Sequence, residues 1–236
     1  MKIIIIGATS GIGRELAQQY LALGHTVAIT GRRAELLLEL QKQYPALYTD
    51  CFDVQTADVT ERLQSMITQL GGLDLLIYSA GYGDPSTALI AETELDSTAT
   101  NVMGFVKTAT CTFNYFLQQG HGQLAVLSSV AALRGNSWTP AYSASKAYVS
   151  NYAEGLNIKA QKLHANIVVT DLRPGFVKTK MAKGNGQFWV APVEVAARQI
   201  RAAIAAKKRV AYITKRWALI AFIFKRLPYW VYRRIG

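Results

Sequence analysis

The chain has 236 residues, and half of them are hydrophobic, which is enough for one large α/β domain with a sizeable core. Its net charge of +11 is unevenly placed. No acidic residue follows Glu194, whereas eleven Lys and Arg lie between Arg198 and the last residue, so residues 1–197 are neutral in sum. Three scattered His and two Cys show no metal-ligand spacing, and no metal site is predicted.

The N-terminal apolar run and the cysteines indicate the cellular compartment of the protein. The apolar run of residues 3–6 is too short for a secretion signal and leads straight into a glycine motif, so no export signal is expected. Cys51 and Cys111 lie far apart in apolar stretches and are predicted to be buried thiols rather than a disulfide. A cytoplasmic location is therefore expected.

The chain begins with a strand, a glycine turn and a helix. Residues 2–6 are a continuous apolar run that suits a strand buried on both faces, and helical spacing of apolar residues then continues to Gly24. Glycines between such elements allow close backbone approach to a phosphate and aim the helix N-terminus at it. The spacing is GxxxGxG without a following GK[ST], which excludes a P-loop. The predicted cofactor contacts in this turn are Gly7, Ser10, Gly11, Ile12 and Gly13.

Two arginines follow the second predicted strand, which covers residues 26–30. An enzyme that uses NAD usually has an acid here for the ribose hydroxyls, whereas Arg accommodates the 2′-phosphate of NADP. Arg32 and Arg33 therefore favour NADP over NAD. The alternative is an ordinary basic first turn on a solvated helix.

The rest of the chain alternates between strands and helices. Further strands are predicted at 47–52, 73–78, 124–128, 165–172 and 209–214. Helices are predicted at 34–43, 59–70 and 94–118. A further helix carries Tyr142 and Lys146 and ends near residue 162, and another begins at Pro192. This order predicts one doubly wound, Rossmann-type α/β domain over residues 1–214, with a seven-stranded parallel sheet and helices on both faces. Ligands bind at the carboxyl edge of such sheets. Cofactor contacts are predicted at two strand ends there, at Asp53 with Val54 and at Ala80 with Gly81.

The stretch from Ser128 to Lys146 carries the candidate chemistry. Tyr142 and Lys146 are spaced i, i+4, which places an ammonium near a phenol on one helix face. A nearby positive charge lowers the pKa of a tyrosine and suits it to acid/base work on a carbonyl or alcohol. Ser129, at the end of the fifth strand, is placed to hold the substrate oxygen. The alternative is a surface helix with an ordinary Tyr and Lys.

Taken together, the motifs resemble those of the short-chain dehydrogenase/reductase family over about residues 3–214. The three glycines match its GxxxGxG, residues 174–179 match its PGxVxT, and Asp53 matches the acid that meets the adenine. The family's four catalytic residues are matched in order and spacing by Asn101, Ser129, Tyr142 and Lys146.

The resemblance implies a role for each matched residue. Tyr142 would be the acid/base, and Lys146 would lower its pKa and hold the nicotinamide ribose. Ser129 would orient the substrate oxygen, and Asn101 would bind a water in a proton relay through Lys146. Thr179 would contact the nicotinamide amide, with Pro174 and Val177 as further cofactor contacts.

Two cofactor-supporting turns depart from the family pattern. Ile6 stands where the family usually has Thr, and Tyr78-Ser79 replaces the first two residues of its NNAG. These changes bear on local hydrogen bonds and not on the catalytic four. The resemblance also implies a homo-oligomer.

The expected function is an NADP-dependent oxidoreductase that transfers a hydride between the nicotinamide and a carbonyl or secondary alcohol of an apolar substrate. The loop of residues 176–190 and the region after Tyr82 are predicted to shape the pocket. The alternative is a catalytically silent nucleotide-binding protein that acts through a partner or a membrane contact. The Ser, Tyr and Lys set favours the enzyme.

Residues 215–236 form a C-terminal extension of basic, aromatic and aliphatic side chains. Its apolar run, residues 217–224, is too short to span a bilayer. Such a composition suits a helix lying in an anionic membrane interface, so a peripheral membrane location is one expectation. The alternative is that its apolar face packs on the body or on a partner subunit. Nucleic acid is not an expected partner, because no binding motif accompanies the charge.

Overall fold

The fold is built on one parallel sheet with the strand order β3-β2-β1-β4-β5-β6-β7. The structure is a computed structural model that describes residues 1–85, 88–179 and 187–234. The strands are β1 (Lys2–Ile6), β2 (Thr26–Gly31), β3 (Tyr48–Cys51), β4 (Leu75–Tyr78), β5 (His121–Leu127), β6 (Asn166–Pro174) and β7 (Val210–Ile213). The principal helices are α1 (Gly11–Ala22), α2 (Ala34–Gln43), α3 (Val59–Leu70), α4 (Ala91–Thr98), α5 (Phe105–Gln119), α6 (Pro140–Lys162), α7 (Val193–Ala205), α8 (Trp217–Arg226) and α9 (Tyr229–Tyr232).

Helices cover both faces of the sheet, as the alternating strands and helices predict. Successive strand side chains point to opposite faces, so Ile4 of β1 packs into a core with α3, α5 and α6, whereas Ile5 packs into a second core with α1, α2 and α7. Strand order runs outward in both directions from the β1–β4 pair. The predicted doubly wound, Rossmann-type fold is confirmed.

The junction between β1 and β4 is where a ligand crevice is expected in such a sheet. Gly7, which follows β1, has a φ of +81° and packs directly on the chain after β4. A Cβ on Gly7 would lie 2.5 Å from the backbone N and Cα of Ala80. The glycine therefore lets the two turns meet and keeps the carboxyl edge open at this point.

The long helix predicted at 94–118 is interrupted. A π-helical turn over Ala99–Gly104 separates α4 from α5. The buried Tyr78 hydroxyl donates a hydrogen bond to the Thr100 carbonyl at 2.7 Å, which satisfies a backbone group within the altered turn. The extra residue changes the helix phase at Asn101, and π-turns of this kind occur often at functional sites.

Two further predictions need correction. The fifth strand begins at His121 and not at 124, because His121 and Gly122 already pair with Asn166 and Ile167 of β6. Only glycine fits at position 122, where a Cβ would lie 2.1 Å from a carbon of the Phe116 ring. Cys51 is exposed rather than buried, since it ends the edge strand β3, and Cys111 is half-buried. Residues 180–186 of the predicted pocket loop lie outside the described residues.

The C-terminal extension is docked on the body through one face, which is the second of the two predicted alternatives. Trp217, Ala221 and Tyr232 are buried. The Arg134 guanidinium donates to the carbonyls of Phe224 at 3.0 Å and Leu227 at 2.9 Å, at the C-terminal end of α8. Within the described ranges, no helix is both long and apolar enough to cross a membrane.

Candidate active site

The carboxyl end of β5 and the first turns of α6 bring three of the predicted catalytic residues together. Ser129 follows β5, where its Oγ accepts from the Ala131 backbone N–H at 3.0 Å, and it lies near enough to the Tyr142 hydroxyl to lower the pKa of that group. Lys146 is one turn further along α6, and its Nζ lies 5.6 Å from the centre of the Tyr142 ring. The same Nζ donates to the Leu127 carbonyl at 2.8 Å, which fixes the ammonium beside the strand end.

Burial has the largest effect on the pKa values of Tyr142 and Lys146. It raises the pKa of Tyr142 above its ordinary value, and the hydrogen bond with Ser129 lowers it by less. The predicted lowering of the Tyr142 pKa by Lys146 is therefore wrong in net direction for this structure, because desolvation penalises the phenolate more than the neighbours favour it. Burial also lowers the pKa of Lys146 to about 8, against the opposing charge of Asp171.

The side-chain amide of Asn101 forms hydrogen bonds with other groups of the protein. Its Oδ1 accepts from the Tyr82 backbone N–H at 2.8 Å, and its Nδ2 donates to the Tyr82 carbonyl at 2.8 Å and to Ser145 Oγ at 2.9 Å. The side chain thereby ties the segment after β4 to α6, next to Lys146. The water relay implied for Asn101 stays a prediction.

The glycine turn after β1 forms one wall of an open cleft at the N-terminus of α1. The cleft has a volume of about 310 Å³ and is lined by Ser10, Gly11, Arg14, Arg33, Lys178 and Thr179, among others. Gly11 has a φ of +58°, and a Cβ there would lie 3.3 Å from Thr179 Cγ2. Bare backbone at a helix N-terminus opposite a hydroxyl is what a pyrophosphate needs, so these residues fit the dinucleotide that the motif implies.

Arg33 lies over this turn. Its Nη2 donates to Thr9 Oγ1 at 2.5 Å and to Ser10 Oγ at 2.8 Å. The Arg32 guanidinium instead meets Asp53 Oδ2 at 3.1 Å in an exposed ion pair. An acid therefore stands beside Arg32, whereas Arg33 lines the cleft together with Arg14 and Lys178.

The remaining predicted cofactor contacts are not among the residues that line this cleft. Val54 is buried against the π-helical turn, where a Cβ on Gly104 would lie 2.7 Å from Val54 Cγ2. Pro174 ends β6, and Val177 is buried and bridged to Ala191. Ile12 is partly buried in the core between α1 and the sheet, and Gly81 lies in the turn after β4.

Comparison with known proteins decides the family. Residues 1–188 match the family model described as short chain dehydrogenase. The chain belongs to the short-chain dehydrogenase family. An uncharacterised oxidoreductase of Myxococcus xanthus is 34% identical over 189 residues, which cover 77% of this chain and 74% of that protein.

Solved structures share the fold of this short-chain dehydrogenase. A short-chain dehydrogenase from Streptomyces avermitilis superposes with a TM-score of 0.82 at 23% identity, covering 95% of this chain and 90% of that one. The protein ElxO, with NADP bound, superposes with a TM-score of 0.78 at 19% identity, covering 90% and 96%. At these identities the likeness shows the fold alone.

Two features of this short-chain dehydrogenase were missed in the sequence. Gly83 packs on the acid/base candidate, since a Cβ there would lie 2.5 Å from Tyr142 Cδ2. Asp171 is a carboxylate with 2% exposure inside the sheet, behind Lys146. No motif points to Gly83, but an acid inside a predicted buried strand was a visible signal for Asp171.

The docked extension reaches the motif that follows β6. Trp217 packs so closely on Gly175 that a Cβ there would lie 2.1 Å from the indole. Its ring centre lies 5.5 Å from that of Phe176 and 5.0 Å from that of Phe188, and Trp189 joins the group at 6.1 Å. We call Phe176, Phe188, Trp189 and Trp217 the aromatic cluster. Within the described ranges, no three His, Cys, Asp or Glu side chains are placed to share a metal ion.

Proposed function

We propose that this short-chain dehydrogenase is an NADP-dependent oxidoreductase that interconverts a carbonyl and a secondary alcohol of an apolar substrate. The observation that carries the proposal is the meeting of Ser129, Tyr142 and Lys146 at the carboxyl edge of the sheet. The glycine cleft opens at the same edge. NADPH, when bound, supplies the hydride for the carbonyl carbon.

Side chains of the protein bind the carbonyl oxygen of the substrate and supply its proton. The Ser129 and Tyr142 hydroxyls lie beside each other, and each has one proton that it can donate to the carbonyl oxygen of a substrate. Because burial raises the Tyr142 pKa, the phenol is protonated at neutral pH and can act as the general acid of carbonyl reduction. The buried Lys146 ammonium stabilises the negative charge that the phenol leaves behind when its proton moves to the oxygen.

The rival function is a silent nucleotide-binding protein. Turnover separates the two: NADPH oxidation is followed with a panel of apolar ketones and aldehydes, together with a binding titration of NADPH. The enzyme is expected to oxidise NADPH with at least one member of the panel. Tight NADPH binding with no oxidation across the panel would favour the silent protein.

Preference for NADP rests on Arg33. A guanidinium binds a phosphate through paired hydrogen bonds, and Arg33 already lies on the hydroxyls of the glycine turn. The fold neighbour ElxO has NADP bound, which supports the same choice here. Arg33→Ala is expected to raise the KM for NADPH about tenfold or more while changing that for NADH little. Exposed Arg198→Ala on α7 is the control, and a preserved preference in Arg33→Ala would contradict the proposal.

An apolar substrate follows from the aromatic cluster. The cluster adjoins Gly175, in the segment that the family places beside the nicotinamide. Aromatic side chains offer apolar contact area to a substrate. The loop of residues 176–190 contributes Phe176, Phe188 and Trp189 to it.

Location and assembly complete the proposal. We propose a cytoplasmic protein with a peripheral membrane contact through the exposed face of the extension. We also propose a homo-oligomer, supported by the exposed apolar side chains Met103, Tyr148 and Ile158 on the π-helical turn and α6. Light scattering after size exclusion tests the assembly.

A further inference from the structure

A buried carboxylate in β6 has no part in the chemistry described so far. Asp171 lies in a strand with neighbours on both sides, paired with Val126 of β5 and Val210 of β7. Its exposure is 2%. An ionised carboxylate is costly to bury unless it is paired and hydrogen-bonded, so the groups that surround Asp171 account for its presence.

Those groups come from three directions. The Ser128 hydroxyl donates to Oδ1, and the Ser150 hydroxyl donates to Oδ2 at 2.7 Å. Arg173 Nε donates to Oδ2 at 2.7 Å. The same guanidinium donates from Nη2 to Ser150 Oγ at 2.7 Å and from Nη1 to the Tyr212 hydroxyl at 3.1 Å. Both carboxylate oxygens are therefore satisfied.

The two serines belong to the elements that carry the catalytic groups. Ser128 directly precedes Ser129 at the end of β5, and Ser150 lies one turn beyond Lys146 on α6. The end of β5 and α6 are joined elsewhere by the bond from Lys146 Nζ to the Leu127 carbonyl. Asp171 supplies a second link between the same two elements, one helical turn away.

We propose that Asp171 is a positioning residue of this active site, which holds the end of β5 against α6 and keeps Lys146 in its ammonium form. The inference rests on the proposed function, because the groups it positions are those of the hydride-transfer site. Misplacing reacting groups by about 1 Å costs up to about a hundredfold in rate, so a second link at this junction has a direct use.

The electrostatic part follows from the burial of Lys146. Burial lowers the pKa of Lys146 to about 8, and the negative charge of Asp171 opposes that effect. The other charged or titratable groups around Asp171 are Arg173 on its own strand and Tyr212 on β7. Loss of the carboxylate charge lowers the Lys146 pKa further, whereas loss of the Arg173 charge raises it.

Two variants with opposite charge effects separate positioning from plain stabilisation. Asp171→Asn keeps the size of the side chain and removes its charge, and Arg173→Met removes the opposing cation. The first is expected to move the alkaline limb of kcat/KM for carbonyl reduction to lower pH, and the second to higher pH. Asp171→Asn is also expected to lower kcat about tenfold with little change in the KM for NADPH.

The pKa of Lys146 is measured in both variants by NMR of 15N-labelled lysine side chains, with Lys146→Met used for assignment. This measurement does not depend on turnover, so it stands even where the proposed reaction fails for the wild type. Opposite shifts of the Lys146 pKa support the inference. The inference is overturned if both variants keep the wild-type Lys146 pKa and the wild-type pH profile and differ only in a lower melting temperature.

A milder variant guards against loss of folding. Ser150→Ala removes one hydrogen bond between α6 and Asp171 and leaves the carboxylate charge in place. It is expected to lower kcat several-fold while the alkaline limb stays at wild-type pH. A wild-type kcat in this folded variant would show that the link through Ser150 does not position the site.

Discussion

At the scale of single residues, the site depends on desolvation. Lys146 is buried and Tyr142 is half-buried, and this desolvation raises the pKa of the phenol and lowers that of the amine. Both shifts favour the neutral forms, and they move apart two pKa values that ordinarily lie close together, at 10.0 and 10.5. The phenol therefore keeps its proton and can act as an acid, while the negative charge of Asp171 opposes the loss of the proton from Lys146.

The first prediction at this scale is that Tyr142→Phe lowers kcat for carbonyl reduction at least about a hundredfold, because the general acid is lost. Folding and NADPH binding are expected to stay near wild type, since the ring is kept. Steady-state kinetics and a fluorescence titration with NADPH measure the two effects. Tyr148→Phe is the matched control, because Tyr148 is an exposed tyrosine on the same helix. Near-normal turnover in Tyr142→Phe would remove Tyr142 from the mechanism.

The second prediction concerns stability and pH. The folded chain holds Lys146 with a pKa near 8, below its ordinary value of 10.5. Between these pH values the unfolded chain binds more protons, so the contribution of Lys146 makes the free energy of unfolding rise with pH over this window. Below pH 8 the cost is fully present and amounts to roughly 3 kcal/mol.

Lys146→Met is therefore expected to raise the free energy of unfolding at pH 7 by about 1–3 kcal/mol, less whatever the lost bond to Leu127 contributed. It should also flatten the rise between pH 8 and 10. Urea unfolding without NADPH at several pH values measures this. Lys162→Met, at an exposed position of the same helix, is the control. A variant that is less stable than wild type at pH 7 would contradict the prediction.

At the scale of elements, one cation joins the C-terminal extension to the catalytic strand end. Arg134 follows the short helical turn Val130–Leu133 that Ser129 caps. Its guanidinium binds two carbonyls at the end of α8 and lies 4.3 Å from the centre of the Tyr232 ring. The Tyr232 hydroxyl in turn donates to the Gly135 carbonyl at 2.7 Å. The C-terminal end of α8 is thus attached through Arg134, whereas its N-terminal end is attached through the Gly175 contact of Trp217.

Arg134→Met is expected to loosen α8, because two carbonyls lose their donor at a cost of about 1–3 kcal/mol. Backbone amides of α8 should exchange with deuterium at least about tenfold faster, and the KM for an apolar substrate should rise while that for NADPH stays. Arg226→Met is the control, since its guanidinium stacks on Phe222 of the same helix, 3.7 Å from the ring centre. Unchanged exchange in Arg134→Met would show that Arg134 does not hold the extension.

At the scale of the whole molecule, the seven-stranded parallel sheet followed from the sequence because buried parallel strands are continuous apolar runs between turn signals. Ser129, Tyr142 and Lys146 also came together as predicted. The direction of the Tyr142 pKa did not, because it depends on burial in three dimensions. Neither did the π-helical turn, which depends on Tyr78 reaching the Thr100 carbonyl from a distant strand.

The extension shows the same limit. Its composition allowed either a membrane contact or docking on the body, and the structure shows that one face docks. Apolar residues remain on the other face, namely Leu219, Phe222, Ile223, Tyr229 and Trp230, all at least 42% exposed. Six exposed cations accompany them: Lys215, Arg216, Lys225, Arg226, Arg233 and Arg234. Docking and membrane contact are therefore compatible, because they use different faces.

The last prediction is that this exposed face binds an anionic membrane surface. Each Lys or Arg near such a surface contributes roughly 1 kcal/mol, and the exposed aromatic and aliphatic side chains add burial at the interface. The rest of the chain, residues 1–214, has 20 Lys and Arg against 15 Asp and Glu, a net charge of +5, so it does not oppose this attraction. The protein is expected to co-sediment with vesicles that contain phosphatidylserine, less so as salt rises, and not with purely zwitterionic vesicles.

Two outward-facing variants divide the contributions while leaving the docked face intact. Phe222→Ser with Trp230→Ser keeps every charge and is expected to weaken binding at all salt concentrations. Lys225→Gln with Arg226→Gln keeps the apolar face and is expected to weaken binding mainly at low salt, because screening removes the charge term for the wild type as well. Circular dichroism confirms that both variants remain folded. Wild-type protein that stays in the supernatant with anionic vesicles at low salt would rule out the membrane contact. The exposed face would then be tested as a contact with a second subunit. Light scattering that shows an oligomer for the wild type, and its loss in the Phe222→Ser, Trp230→Ser variant, would support that assignment.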